Sequence, residues 1–240
     1  MKDKTRKTRN DFNWKHFLPE IILLCIRWYL KYKLSFRDLV EMMSERGIRI
    51  VHTTIMRWIG EYSPKINKRI RKYLKTSSDS YRLDETYIKI KGKWCYLYRA
   101  IDSKGNTLDF LLSEHRDKKA AKIFLKRVLK NNHASFPRVI NTDKAPTYPY
   151  AITEMKKAGL IGEETKHRTV QYCNNIIEQD HMFIKKRINP MLGFFSFRTA
   201  NYIIKGIEAM HMIRKIQIKD FFKNYLNDKI FINNLFGIAA

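Results

Sequence analysis

Between Tyr81 and Glu114 three strand-like runs succeed one another: YRLDETYIKI (81–90), KWCYLYRAID (93–102) and NTLDFLLSE (106–114). Each is rich in aromatic and β-branched residues, as strands are. The joints KGK and DSKGN have turn composition, so the three runs form an antiparallel meander. A meander of this kind constrains the rest of the chain, because its faces must be covered by other elements.

The segments after Glu114 supply the cover. Asp117 caps a predicted helix with Ala120, Ala121, Phe124, Leu125, Val128 and Leu129 on one face. A short strand, RVINT (138–142), runs into Asp143, and a helix is predicted over about 149–158. A further strand near 167–172 leads to a helix carrying Glu178, and a longer helix spans Phe197 to Ile216. The order βββαβαβα predicts an α/β, ribonuclease H-like core, a mixed sheet with helices on both sides. No internal repeat is visible.

The residues before the meander read differently. Three helices are expected between 17 and 62: Pro19 to Tyr32, a second capped by Ser35 and closed by Gly47, and a third from Thr53. Helix, glycine turn and helix, with Thr53 and Thr54 opening the last and Arg57 upon it, is the outline of a helix-turn-helix that would enter the DNA major groove. An ordinary three-helix bundle gives the same pattern, and charge decides between them. The chain carries a formal net charge of +25, a field that calls for a polyanionic partner. An AT-rich genome could inflate Lys through its codons, but would not make the acids scarce.

Three scattered cysteines, Cys25, Cys95 and Cys173, without a C-x-x-C, imply reduced thiols and exclude a zinc ribbon or a disulfide framework. The most apolar stretch, Ile21 to Ile26, ends at Arg27 and is too short for a bilayer. The expectation is a cytoplasmic protein with no membrane partner. P-loop, dinucleotide-binding and nucleophile-elbow motifs are absent.

Three acids stand out. Asp84 lies within a strand, in phase with Ile88 and Ile90, although Asp is depleted in strands and an unpaired buried carboxylate is costly. Asp143 comes just after a short strand, where sites collect in α/β sheets, and Glu178 lies on a helix. With 34 residues between the last two, the trio is predicted to be the catalytic and metal-binding set. It could converge on two divalent ions, Mg²⁺ or Mn²⁺, about 4 Å apart. Lys185 lies two turns after Glu178 on the same face and is expected to hold a DNA phosphate, as are Lys186, Arg187 and Lys144. His181, between Glu178 and Lys185, would orient Glu178 or touch DNA, or be an ordinary helix-surface histidine. Glu85, of opposite strand parity, Asp102, expected in solvent, Asp109 and Asp180 are set aside as decoys, Asp180 least firmly.

The stretches EIILLCIRWYLKYKLSFRDLVEMMSERG, HTTIMRWI, DETYIKIKGKWCYLYRAIDSKGNTLDFLLSEHRDKKAA, NTDKAPTY, HR…NNIIEQDH and GFFSFRTA…IKGIEAM together resemble the bacterial DDE transposases of the insertion-sequence-six family. They cover roughly residues 17 to 215. The resemblance implies an Asp-Asp-Glu triad with 34 residues between its last two acids and a basic residue seven after the Glu, which Asp84, Asp143, Glu178 and Lys185 match. It also implies binding to terminal inverted repeats, 3′-end nicking, strand transfer into target DNA, replicative cointegrate formation, at least a homodimer, and a bacterial, nucleoid-associated setting. Cys173, where an Arg is expected, and Phe195, where a polar or basic residue is expected, depart from the pattern and bear on DNA affinity near the site.

The resulting division is a basic flexible tail (1–16), a helix-turn-helix domain (17–62), a linker (63–79), a ribonuclease H-like DDE core (80–216) and a C-terminal segment (217–240) that packs on the core or mediates dimerisation. Two other functions fit the same residues. A metal-dependent nuclease without strand transfer would have less need of a sequence-reading module. An inactive copy acting as a DNA-binding regulator would have less reason to keep all three acids.

Overall fold

A computed structural model describes residues 11–131, 133–143, 145–169, 175–219 and 227–238. In chain order its elements are α1 (Pro19–Lys31), α2 (Phe36–Ser44), α3 (His52–Ile70), a 3₁₀ turn (Arg71–Tyr73), β1 (Ser80–Ile90), β2 (Lys93–Asp102), β3 (Thr107–Ser113) and α4 (Lys118–Leu129). Next come β4 (Val139–Asn141), α5 (Thr147–Lys157), β5 (Lys166–Arg168), α6 (Asn175–Ile188), a 3₁₀ turn (Asn189–Met191), α7 (Phe197–Arg214) and α8 (Asn227–Leu235). They divide into two compact units: Met1–Tyr73 with Arg198–Ala240, and Leu74–Phe197.

The first unit is helical. Ser35 begins α2 with a reciprocal capping box: its hydroxyl accepts from the Asp38 N–H, and the Asp38 carboxylate accepts from the Ser35 N–H. That satisfies two donors the first turn would otherwise leave open. The turn out of α2 needs a left-handed residue, and Gly47 takes it at φ +73°. Helix α3 then buries Ile55, Trp58, Ile59, Tyr62, Ile66 and Ile70.

Three boundaries differ from the sequence reading. The stretch from Ser63, expected as linker, is helical to Ile70. Pro64 removes one helix hydrogen bond, but Tyr62, Ile66 and Ile70 continue the buried stripe on both sides of it. Helix α7, expected in the catalytic core, packs with the helical unit instead. Eleven of its residues are buried, Glu208 and His211 among them, so most of its circumference is covered, as inside a bundle. At Gly206 a Cβ would stand 2.6 Å from a Leu30 methyl and 2.7 Å from the Ser63 hydroxyl, so a larger residue would force these side chains of α1 and α3 to shift. The C-terminal segment joins the same bundle through α8 and Phe236, whose ring meets those of Phe12 and Tyr62.

The second unit is a five-stranded sheet in the order β3-β2-β1-β4-β5. The meander pairs antiparallel, and β1–β4 and β4–β5 are parallel. An antiparallel meander whose first strand sits at the centre and carries two parallel strands on its far side is the ribonuclease H-like arrangement, as expected. One sheet face contributes Tyr81, Leu83, Tyr98 and Ala100 to a core completed by Phe124, Leu125 and Val128 of α4 and Tyr148, Ile152 and Met155 of α5. The opposite face receives α6, which packs on β1. Strand β5 is shorter than the expected 167–172, and part of that range lies outside the described residues.

Candidate active site

Asp84 is on the α6 face of β1, in phase with the buried Ile88 and Ile90. β1 and β4 run parallel with Arg82 opposite Asn141. Continuing that register by two residues brings Asp84 alongside Asp143, just past the end of β4. One carboxylate oxygen from each of Asp84, Glu85 and Asp143 lies within 4.8 Å of the others. Glu178 stands in the first turn of α6, exposed, and its charge is felt at Asp84.

Arg116, in the loop between β3 and α4, bridges two of these acids. Its Nε donates to Glu85 Oε1 at 2.6 Å, and its Nη2 to Asp143 Oδ2 at 3.2 Å. The other Glu85 oxygen accepts from the buried Tyr148 hydroxyl at 2.6 Å. Asp143 Oδ1 accepts from the Ala145 N–H at 3.0 Å. Glu85 therefore has both oxygens engaged by protein donors, whereas Asp84 has like charges around it. Burial, then the charge of Glu85, then those of Asp143 and Glu178 push the Asp84 carboxyl up to about 7, against a lowering hydrogen bond from the Glu85 backbone. Carboxylates that repel one another in a partly desolvated pocket are what a divalent cation relieves, and oxygen donors suit a hard ion. The cluster fits such an ion and could hold one.

Behind Asp84 lies a second set of contacts. Its cross-strand partner Arg99 is fully buried and pairs through Nη2 with Asp180 Oδ2 at 2.7 Å. This ties β2 to α6 two residues beyond Glu178. His181 Nδ1 is 3.7 Å from Asp84 Oδ2, too far for a hydrogen bond. Burial, with the positive charges of Arg99 and Lys185, pulls the His181 pKa down to about 3, the Asp180 charge opposing. His181 is therefore a neutral, buried neighbour of Asp84 rather than a surface histidine touching DNA.

The remaining expected positions are spread over both units. Lys185 and Lys186 are exposed on α6, whereas Arg187 is buried. That removes Arg187 from the surface contacts, because its place on α6 is in phase with Ile177 and Ile184, which face the interior. Thr53 and Thr54 are half-buried and Arg57 is exposed, all in the first turns of α3. Lys144 and Cys173 lie outside the described residues. Cys25 and Cys95 are buried free thiols.

Asp102, expected in solvent, is fully buried. It accepts from the backbone N–H groups of Ser78, Lys104 and Asn106 and from the Asn106 side chain, so it organises the β2–β3 turn. The Asp-Ser-Lys-Gly-Asn sequence held that signal, since an Asp opening a turn bonds the backbone two residues on. Asp109 is also buried, held in a fork by Arg127. Strand parity set Glu85 aside, but parity fixes only where Cβ points, and a glutamate has two more bonds with which to turn toward the strand end. Nothing local marked Arg116, Arg99 or Tyr148, whose roles come from pairing between distant segments.

Residues 78–217 match the family model of the DDE domain of IS240-type transposases. The fold and the site thus define a DDE-type, DNA strand-transferring enzyme. Among curated proteins the chain is 41% identical over 206 residues to the transposase for insertion sequence-like element IS431mec of Staphylococcus aureus, covering 86% of this chain and 89% of that protein. The same figures hold for the transposase of insertion sequence element IS257 in transposon Tn4003, also from Staphylococcus aureus. Among solved structures, the HTLV-2 integrase catalytic core domain in complex with magnesium, dimeric form, is 18% identical with a TM-score of 0.45, covering 61% of this chain and 99% of that one. The chain belongs to the insertion-sequence-six family of DDE transposases. Among the described residues no helix is long and apolar enough to cross a membrane.

Proposed function

We propose that Asp84, Asp143 and Glu178 are the catalytic, metal-holding acids of this transposase, and that it binds terminal inverted repeats, nicks their 3′ ends and transfers the strands into target DNA. The observation that carries this reading is the meeting of Asp84, inside β1, with Asp143, just past the end of the neighbouring parallel strand β4, while Glu178 stands on the helix packed across the same face. Mg²⁺ or Mn²⁺, as two ions, would be held by these three carboxylates. Bound there, the ions would supply an activated oxygen nucleophile and stabilise the leaving oxygen of an in-line displacement.

The chain's own groups do the rest. Lys185 and Lys186 place exposed ammonium groups on α6 beyond Glu178, where a scissile-strand phosphate needs a counter-charge. His181, neutral, adds no positive charge to compete for Asp84. Arg99 and Asp180 hold α6 against β2, and so fix the helix that carries Glu178. Arg116 and Tyr148 each bond one oxygen of Glu85 beside the Asp84–Asp143 pair, and we read Glu85 as a positioning residue. In the helical unit, Arg57 with Thr53 and Thr54 would read the terminal repeat from the start of α3. Two DNA ends must be held together, so the working form is a homodimer or larger.

The roles are separated by 3′ nicking of a labelled terminal-repeat duplex. Glu178→Gln and Asp143→Asn are expected to abolish nicking and leave repeat binding within about twofold, while Glu85→Gln retains measurable, metal-dependent nicking. Abolition by Glu85→Gln with survival in Glu178→Gln would replace Glu178 by Glu85 in the triad.

A further inference from the structure

The β1–β2 hairpin carries an aromatic and basic surface that neither the carboxylate site nor the helix-turn-helix uses. Its register sets Tyr87 opposite Tyr96 and Lys89 opposite Trp94, so these four side chains share one face. Nearer the sheet centre the same face is covered by α4 and α5. Beyond Glu85 it emerges from that cover, with Tyr87 51% and Trp94 60% exposed. The rings contact one another, Tyr87 to Trp94 at 6.2 Å and Tyr87 to Tyr96 at 5.4 Å, with Tyr96 also packed against the sheet's core and Tyr87 and Trp94 exposed.

Two exposed lysines adjoin them, Lys89 on the same face and Lys91 in the turn, while Lys93, paired with Ile90, is exposed on the opposite face of the tip. Lys91 and Gly92 make the two-residue turn at φ +50° and +77°. A first turn position with positive φ ordinarily takes Asn, Asp or Gly; here it takes a residue whose distinguishing property is its charge. The segment after α6 docks at this tip, the Lys91 N–H donating to the Phe194 carbonyl and the Phe194 N–H to the Lys89 carbonyl. This sets Phe195, 91% exposed, beside the hairpin. Phe195 is the aromatic that stands where the family resemblance leads one to expect a polar or basic residue.

Exposed ring faces interleaved with ammonium groups match a single strand of DNA, whose bases offer free π faces and whose phosphates recur between them. Duplex DNA has its base faces already stacked. A second copy of the chain would set two lysines against two lysines across a symmetric contact, which opposes self-association. We infer that the β1–β2 hairpin tip is a binding platform for unpaired DNA, with Trp94 and Tyr87 stacking bases and Lys89 and Lys91 holding the phosphates. This rests on the transposase reading, in which cleaved ends present unpaired nucleotides near the catalytic sheet.

The test uses the full-length protein, a fluorescently labelled twelve-nucleotide oligothymidine, and a blunt duplex carrying the terminal repeat, both at about 0.1 M salt, where phosphate contacts still count. Wild-type protein should bind the oligothymidine. Trp94→Ala should weaken that binding by about tenfold or more, the loss expected of one stacked base, and change duplex binding by less than twofold. Trp94→Phe should keep most of the affinity, which separates stacking from misfolding. Lys89→Ala with Lys91→Ala should weaken single-strand binding and flatten its salt dependence. The platform is overturned if wild type does not bind the single strand, if Trp94→Ala leaves that binding intact, or if it weakens both DNAs equally. Wild-type duplex binding and metal-dependent nicking in the same preparations report separately on the transposase reading, which can stand while the platform falls.

Discussion

Asp84→Asn is expected to stabilise the metal-free protein at pH 8 while abolishing its chemistry. Burial and neighbouring acids lift the Asp84 carboxyl from 3.8 to about 7. A rise of roughly three pH units corresponds to at most about 4 kcal/mol against the ionised folded state, at about 1.4 kcal/mol per unit. The side chain keeps 17% of its exposure, and solvent and local relaxation screen the repulsion, which leaves about 2 kcal/mol. The direction comes from linkage. Below pH 3.8 the carboxyl is protonated in both folded and unfolded chains and carries no penalty. As pH rises from there to about 7 the unfolded chain ionises freely while the folded one resists, so stability is lost across that window. Asparagine cannot ionise and escapes the loss. Thermal unfolding in EDTA, monitored by circular dichroism, should place the variant roughly 4–8 °C above wild type at pH 8, with most of the difference gone at pH 4.5. Added Mg²⁺ should raise the wild-type midpoint and leave the variant's nearly unchanged. Equal midpoints at pH 8, or a gap as large at pH 4.5, would refute the account of Asp84 as a carboxylate held in repulsion.

Asp180→Leu removes the carboxylate 2.7 Å from a fully buried guanidinium and should destabilise by about 3 kcal/mol; adding Arg99→Met should recover much of the loss, since a buried pair can be replaced by apolar groups more safely than halved. Urea unfolding of the single and double variants checks this, and equal stability of the two would show that the pair is not coupled. Arg57→Ala should weaken binding to the terminal repeat more than to random duplex, measured by competition at fixed salt; a uniform loss would make Arg57 a phosphate contact only.

The sheet was legible because its signals are local. Alternation and turn composition gave the meander, and KGK gave the hairpin joint with Gly92 at positive φ. The capping box at Ser35 and the positive φ of Gly47 were legible for the same reason. Asp84 was visible as a carboxylate out of place in an apolar strand. The surroundings that tune it were not. Arg116 reaches Glu85 across 31 residues of chain and Tyr148 reaches it across 63, and no periodicity encodes a contact at that separation. Arg187 was expected at the surface, but it is in phase with the buried Ile177 and Ile184 and so becomes an interior ion. Helix α7 follows the catalytic elements in sequence and packs in the helical unit, a contact that sequence order does not encode.

The most direct measurement is incubation of purified protein with a labelled duplex carrying the element's terminal repeat, in Mg²⁺, Mn²⁺ or EDTA, with products resolved on a denaturing gel. A 3′ nick at the element boundary that appears with either metal, disappears in EDTA and in Glu178→Gln, and leads on to a joined product, is the predicted result. Binding of the repeat with no nick in either metal would contradict the assignment of Asp84, Asp143 and Glu178 as a working catalytic triad.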